Sequence, residues 1–459
     1  MPDKELLAGA AVASITPNLG VSVCGSMQDR RAEHLHDDLS ARALALDNGS
    51  NKVVLVVLDL IAAKKEWLGE VKHQIAGYTK IPLANICISC THTHSAVSPV
   101  DVFQSNTDTN YLKWAASRIS DCVRTAVQRL APARIGWAVG REERVTFNRR
   151  FFMTEGTANP RPFPGEGNDR VRMNPGEENK AIVRPAGPID PDVAVLAVHK
   201  KRQPEGQPLA VYASYSLHYV GRNPGTDISA DYFGVVCDML HDKLGAPRRD
   251  PRQPFVGLLA NACFGDINNI DVRHRLQQPY PYHQIHSVAD IVSTAIAETY
   301  RRIQFRDWAA LAVADRTVEL SVRRPTEQQV NAAREILQRA QQGPLRTLPE
   351  IYARETVQLS EWPANFRTPV QAIRVGDMAI CALPGEPFCQ TGLNIKGKSP
   401  FKMTMMVGMA NDYAGYLPTE EAHELGGYET WRAKSSFLEV KAATVIQDAA
   451  LGVLGTVAK

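Results

Sequence analysis

Hydrophobic positions along the chain fall into short unbroken runs separated by helical stripes. VVLVVLDL at 53–60 and ICISC at 86–90 are apolar runs rich in β-branched residues, which predicts strands buried on both faces. Residues 66–78 between them read as a helix. Over 111–130, Tyr111, Trp114, Ala115, Ile119, Cys122, Val123, Val127 and Leu130 recur at helical spacing, and Pro132 closes the element. Strand patterns return at 192–200, 208–216 and 255–263, with a helix predicted from near Asp231 to about Leu244. Helices are predicted at 284–304 and, charged and exposed, at 326–342. A last α/β stretch holds MAICALPGE (378–386), MTMMVGMANDYAGY (403–416) and a closing apolar segment. This alternation predicts an α/β protein of layered sheets and helices. From about 150 to 190 the pattern dissolves into Gly, Pro, Asn and Arg, which predicts a long ordered loop or excursion.

Lys and Arg total 52 against 49 Asp and Glu, a net charge of +3, so nothing in the bulk charge points to nucleic acid or an anionic membrane. A length of 459 residues allows two or three ordinary domains or one large layered one. Eight cysteines are too few for a disulfide scaffold and are expected as buried thiols. Cys87 and Cys90 form a C-x-x-C, but on a strand they point to opposite faces, which argues against a shared metal. The opening MPDKELLAGAAVASITPN carries Asp3 and Glu5 where a secretory leader needs positive charge. No apolar run reaches the roughly 18 residues a membrane span needs. A soluble, cytoplasmic protein acting on a small molecule is expected.

Polar and ionisable residues follow apolar strands at four places: His92 with His94, His218, Glu386, and the Tyr413/Tyr416 pair. The ends of strands are where α/β folds place their sites. Each signal alone is weak, since strand-end histidines are commonly structural. Together they offer neutral nitrogens and a carboxylate, a set that suits a catalytic Zn2+ with an open position rather than a closed structural site. H-E-x-x-H, G-x-S-x-G, the Walker loop and G-x-G-x-x-G are all missing, which excludes helix-borne metalloprotease, ordinary α/β-hydrolase, nucleotide and Rossmann readings.

The motifs in order resemble the catalytic domain of the neutral/alkaline (non-lysosomal) ceramidases and their bacterial relatives. They are AGAAVASITPN, HLHDDLSARALAL, ISCTHTHS, FNRR, LHYVGRNPGTDISADYFG, NACFGDINN, ALPGEP and NDYAGYLPTEEA, spread over nearly the whole chain. The resemblance implies a single catalytic domain over 1–459 with mixed β-sheets flanked by helices, and a polar loop excursion at about 150–190. It implies one Zn2+ per chain held by His92, His218, Glu386 and Tyr416. It places His94 beside the activated water as proton shuttle, and Arg149 and Tyr428 as donors to the developing oxyanion. Asp231 and Asp266 are expected to orient these groups from behind, with His36 and Asp37 either in the same layer or in a structural turn. His283 and His286 are expected to be surface or packing residues.

Two departures bear on substrate. The ceramidase motif reads roughly G-D-x-S-P-N, whereas here Gly265-Asp266-Ile267-Asn268-Asn269 puts Asn268 where a Ser is expected. An amide can donate and accept hydrogen bonds but cannot serve as nucleophile. The chain also stops at 459 without the C-terminal β-sandwich-like domain of those enzymes. The expected function is therefore a zinc-dependent hydrolase that cleaves an amide of a polar substrate with metal-activated water, ceramidase-like without being a ceramidase. The Arg-rich stretch (Arg141, Arg144, Arg149, Arg150, Arg161, Arg170, Arg172) reads either as a solvated face or as a receiver for an anionic or sugar-like group. Two rivals stay open: a metal-dependent enzyme acting on a carbohydrate or other non-lipid C–O or C–N bond, and a metal-retaining binding protein.

Overall fold

The computed structural model describes residues 5–163, 165–201, 206–246, 253–275 and 277–459. Asp3, one of the two residues weighed against a leader, lies outside them. Two sheets stack face to face with helices on both outer sides. The larger has eight strands: β1 (Leu6–Ser14), β2 (Ser40–Asp47), β3 (Lys52–Leu58), β4 (Ile86–Cys90), β5 (Ala131–Arg141), β6 (Asp192–Lys200), β7 (Pro208–Tyr215) and β8 (Val256–Asn261). Their spatial order is β8-β7-β6-β5-β1-β2-β3-β4, antiparallel except for the parallel outer pairs β3/β4 and β7/β8. The smaller sheet is β9 (Leu311–Ser321), β10 (Asn365–Val375), β11 (Met378–Ala382) and β12 (Met403–Val407), ending in the parallel pair β11/β12.

Alternate side chains of the two sheets meet in one core, where Leu44, Leu55, Leu196 and Leu258 face Ile373, Ile380, Met405 and Val407. The opposite face of the large sheet is covered by α1 (Lys65–Thr79), α2 (Thr109–Gln128), α3 (Asp231–Lys243) and α4 (His283–Tyr300). Helices α5 (Glu327–Arg339) and α6 (Leu348–Ser360) pack on each other. Helices α7 (Cys389–Lys398) and α8 (Ala442–Ala458) cover the small sheet. Mixed sheets flanked by helices are thus what the chain forms. Cys87 and Cys90 fall in different cores, on opposite faces of β4, and all eight cysteines are buried and unpaired.

The pattern reading misses β1, β2 and β5, which form the centre of the large sheet. They are rich in Ala, Gly and Arg, residues of low strand propensity. Small residues are what this position needs, because helices press closely on it. A Cβ on Gly9 would lie 2.2 Å from the Ala126 carbonyl oxygen of α2. The 150–190 excursion is also more regular than expected. Arg150–Met153 runs between Val171–Met173 and Ile182–Pro185 as a small antiparallel sheet.

Candidate metal centre

The three parallel pairs end on the same side of the molecule, and the segment beyond each delivers a side chain to one point. After β4 the chain turns sharply at His92, which adopts φ 66°. A non-glycine residue held left-handed signals local strain that surrounding bonds must enforce. Here the His92 N–H donates to Leu60 O at 2.9 Å and its ring Nδ1 to Ile61 O at 2.7 Å, both in the loop after β3. His218 follows β7. Its loop is fixed by Asp231, whose buried carboxylate accepts from Val220 N (2.9 Å) and Gly221 N (2.8 Å). Glu386 follows β11 and is paired in parallel register with Tyr416, its N–H donating to Gly415 O at 2.8 Å.

His92, His94 and His218 present nitrogens within 4.8 Å of one another. The carbonyls at Ile61 and Gly25 can only accept, so the Nδ1 of His92 and of His94 each carries the proton (His94 to Gly25 O, 2.9 Å). Their two Nε2 lone pairs then face each other at 3.1 Å. Burial, with His92 beside it, pushes the His94 imidazole well below its ordinary range, and burial with Arg149 does the same to His218. Both rings are therefore neutral at pH 7, the state that can ligate. Glu386 Oε2 sits 3.3 Å from His92 Nε2 and 3.7 Å from His218 Nε2. It is buried with no hydrogen-bond partner. Converging lone pairs and an orphaned carboxylate oxygen repel one another unless a cation lies among them, so the residues present fit a metal.

Arg149 ties this cluster to Tyr416. Its Nη2 donates to the Tyr416 hydroxyl at 3.0 Å, and Nη1 lies 3.3 Å from His218 Nδ1. Glu429, fully buried, accepts from Arg149 Nε (2.8 Å) and Arg150 Nη1 (2.6 Å). The Tyr428 ring packs edge-on to Tyr416 at 5.8 Å, and its hydroxyl has no hydrogen-bond partner among the described residues. Asn268 accepts from Ile270 N at 3.0 Å and donates to Asn174, which orients its amide. All eight of these sequence-derived residues, His92, His94, Arg149, His218, Asn268, Glu386, Tyr416 and Tyr428, line one cavity of about 390 Å³. Its lining mixes apolar residues (Met27, Val100, Val102, Phe103) with polar ones (Asn174, Arg222, Asn268, Asn269).

Other expectations are sorted by the same geometry. Asp266 accepts from Cys389 N and Asn148 Nδ2, both at 2.8 Å, and burial pushes its carboxyl up to about 6. His36 stacks on Tyr282 and bonds Asp37, which in turn holds Ser229 and Ala230, so this pair braces a loop outside the cavity. His286 is exposed, as expected of a surface residue. The arginines divide. Arg141 and Arg144 are solvated and paired with Glu143 and Glu142, whereas Arg149 and Arg150 are buried. For these last two the solvated-face reading is wrong, because their charges are neutralised inside the protein by Glu429. Glu429 escapes sequence reading because one acidic residue in YET looks like any surface carboxylate. Tyr219 escapes it too, although its ring stacks on His94 at 3.7 Å.

Gly25 closes over His94. With φ 105°, it sits where a Cβ would fall 2.4 Å from the imidazole. Gly25→Ala should displace the ring and cut turnover on the order of a hundredfold, the usual effect of a misplacement near 1 Å, while leaving the fold intact. Unchanged turnover in that variant would show that His94 takes no part.

No family model and no curated protein matches the sequence. Among solved structures, neutral ceramidase from Pseudomonas aeruginosa superposes with a TM-score of 0.74 at 16% identity, over 99% of this chain and 75% of that one. A ceramidase complexed with C2 gives 0.73 at 16% identity, over 99% and 76%. The likeness is one of fold at low sequence identity. The fold of this chain is that of the neutral ceramidases.

Proposed function

We propose that the chain is a zinc-dependent hydrolase that cleaves the amide bond of a polar N-acyl substrate. The observation that carries this reading is the cluster of three imidazole nitrogens within 4.8 Å of one another, two of them beside a Glu386 oxygen that has no hydrogen-bond partner. His92, His218, Glu386 and Tyr416 would hold the ion. A Zn2+ there supplies two things, a water whose pKa falls toward roughly 7 and a polarised substrate carbonyl.

The protein's own groups do the rest. His94, neutral and hydrogen-bonded through Nδ1, offers Nε2 to take a proton and return it to the leaving nitrogen. The Tyr428 hydroxyl, unspent on protein, donates to the oxygen that gains charge. Arg149 has less to give than a dedicated oxyanion donor, since Nε and Nη2 are engaged. Its role is to hold the Tyr416 oxygen against the centre, where burial pushes the phenol well above its ordinary range and the Arg149 charge opposes that shift only in part. Asn268 cannot be a nucleophile and instead presents a fixed amide to the substrate's polar half.

Tyr416→Phe should lower kcat on the order of a hundredfold with the fold kept, since the phenol oxygen is both a donor to the ion and the partner of Arg149. Wild-type kcat in that variant would remove Tyr416 from the centre. Asn174, Asn268 and Asn269 in the lining also suit a hydroxyl-bearing substrate, which is what a carbohydrate-cleaving reading requires. A product screen of metal-loaded protein on N-acyl amides and on glycosides separates the two: carboxylic acid release supports amide cleavage, and sugar release alone overturns it.

A further inference from the structure

A second cavity, of about 320 Å³, opens between α5, α6 and the loop at Phe163, and shares no lining residue with the metal centre. Much of its lining is apolar, with Phe163, Ala332, Ala333, Ile336 and Ala353. Arg432 enters from one side with its guanidinium 5.2 Å from the Phe163 ring centroid. Arg149, Arg150 and Arg161 each meet a carboxylate, but Arg432 has no ion-pair partner among the described residues. Its Nε is buried without a hydrogen-bond acceptor.

A second guanidinium, Arg323, stands within electrostatic reach of Arg432. It donates to Thr430 O (3.0 Å) and Ser436 O (2.8 Å), and its Nε is also buried without an acceptor. The acid in the lining is Glu166, whose Oε1 accepts from Gln329 at 3.3 Å. Two guanidiniums against one carboxylate leave a positive balance among half-buried side chains, with both Nε atoms themselves buried. An unmatched buried donor there costs free energy that a bound acceptor would recover.

We propose that this cavity binds a small organic monocarboxylate, its carboxylate paired with Arg432 and its apolar body lying on Phe163, Ile336 and Ala353. Apolar walls with a few converging polar groups are the usual build of a ligand site, and a guanidinium matches a carboxylate in geometry as well as charge. The inference stands apart from the reading of the metal centre.

The test is calorimetric titration of the full metal-loaded chain with hexanoate, and with hexanol as the uncharged control. Saturable binding of about one hexanoate per chain is expected, with hexanol weaker. Arg432→Gln should weaken hexanoate at least about tenfold through the lost charge. Ala332→Leu, which fills the cavity and keeps every charge, should weaken it similarly and decides the matter should Arg432→Gln fold poorly. His92→Ala/His218→Ala should bind hexanoate as wild type does. No saturable binding by wild type, affinity unchanged in Ala332→Leu, equal affinity for hexanol, or loss confined to the histidine variant would each overturn the proposal.

Discussion

Replacing His92 and His218 together with alanine should leave less than about a tenth of the metal found in the wild type, and no turnover above background. The two rings supply two of the converging nitrogens, and neither is needed to bury a large apolar surface. Their loss leaves Glu386 and Tyr416 with a single imidazole of the cluster, His94, a much poorer donor set than the intact centre. The contrasting account makes them satisfied structural histidines. It predicts reduced stability and unaltered metal content, so elemental analysis beside a denaturant titration tells the two apart. Full occupancy in the double variant would mean that any bound ion sits elsewhere.

Glu429→Gln should lower unfolding free energy by about 3 kcal/mol, because it leaves two buried guanidiniums without their anion. Burial opposes ionisation of Glu429, yet Arg150 and Arg149 together hold its carboxyl below the ordinary range. A carboxyl depressed in the folded state stabilises above its unfolded pKa and loses that contribution as pH falls through the folded value. The stability gap between wild type and variant should therefore be constant from pH 6 to 8 and shrink only below about pH 4. A gap under about 0.5 kcal/mol at neutral pH would show that water reaches these charges.

How legible the molecule is in its sequence depends on what each residue must do. Strands buried on both faces announce themselves, as 53–60 and 86–90 do, because only continuous apolar runs survive there. The central strands β1, β2 and β5 do not, since close helix packing selects small residues that leave no continuous β-branched run. His92, His218, Glu386 and Tyr416 are visible because each breaks an apolar context at a strand end or in a recognisable motif. By charge and composition Arg149 is one arginine among several, and only the FNRR motif separates it from the solvated Arg141. What separates their environments is Glu429, 280 residues away in the chain. The neutral state of His94 is likewise a product of burial and of its neighbour His92, which no single-residue reading supplies.

The most direct test of the central claim is turnover with the metal removed and returned. Protein stripped with a chelator would be assayed for carboxylic acid release from a panel of N-acyl amides, before and after addition of one equivalent of Zn2+. The account predicts no release from the stripped protein, recovery with zinc, and no recovery in the His92→Ala/His218→Ala variant. Release that persists undiminished in fully stripped protein would contradict it.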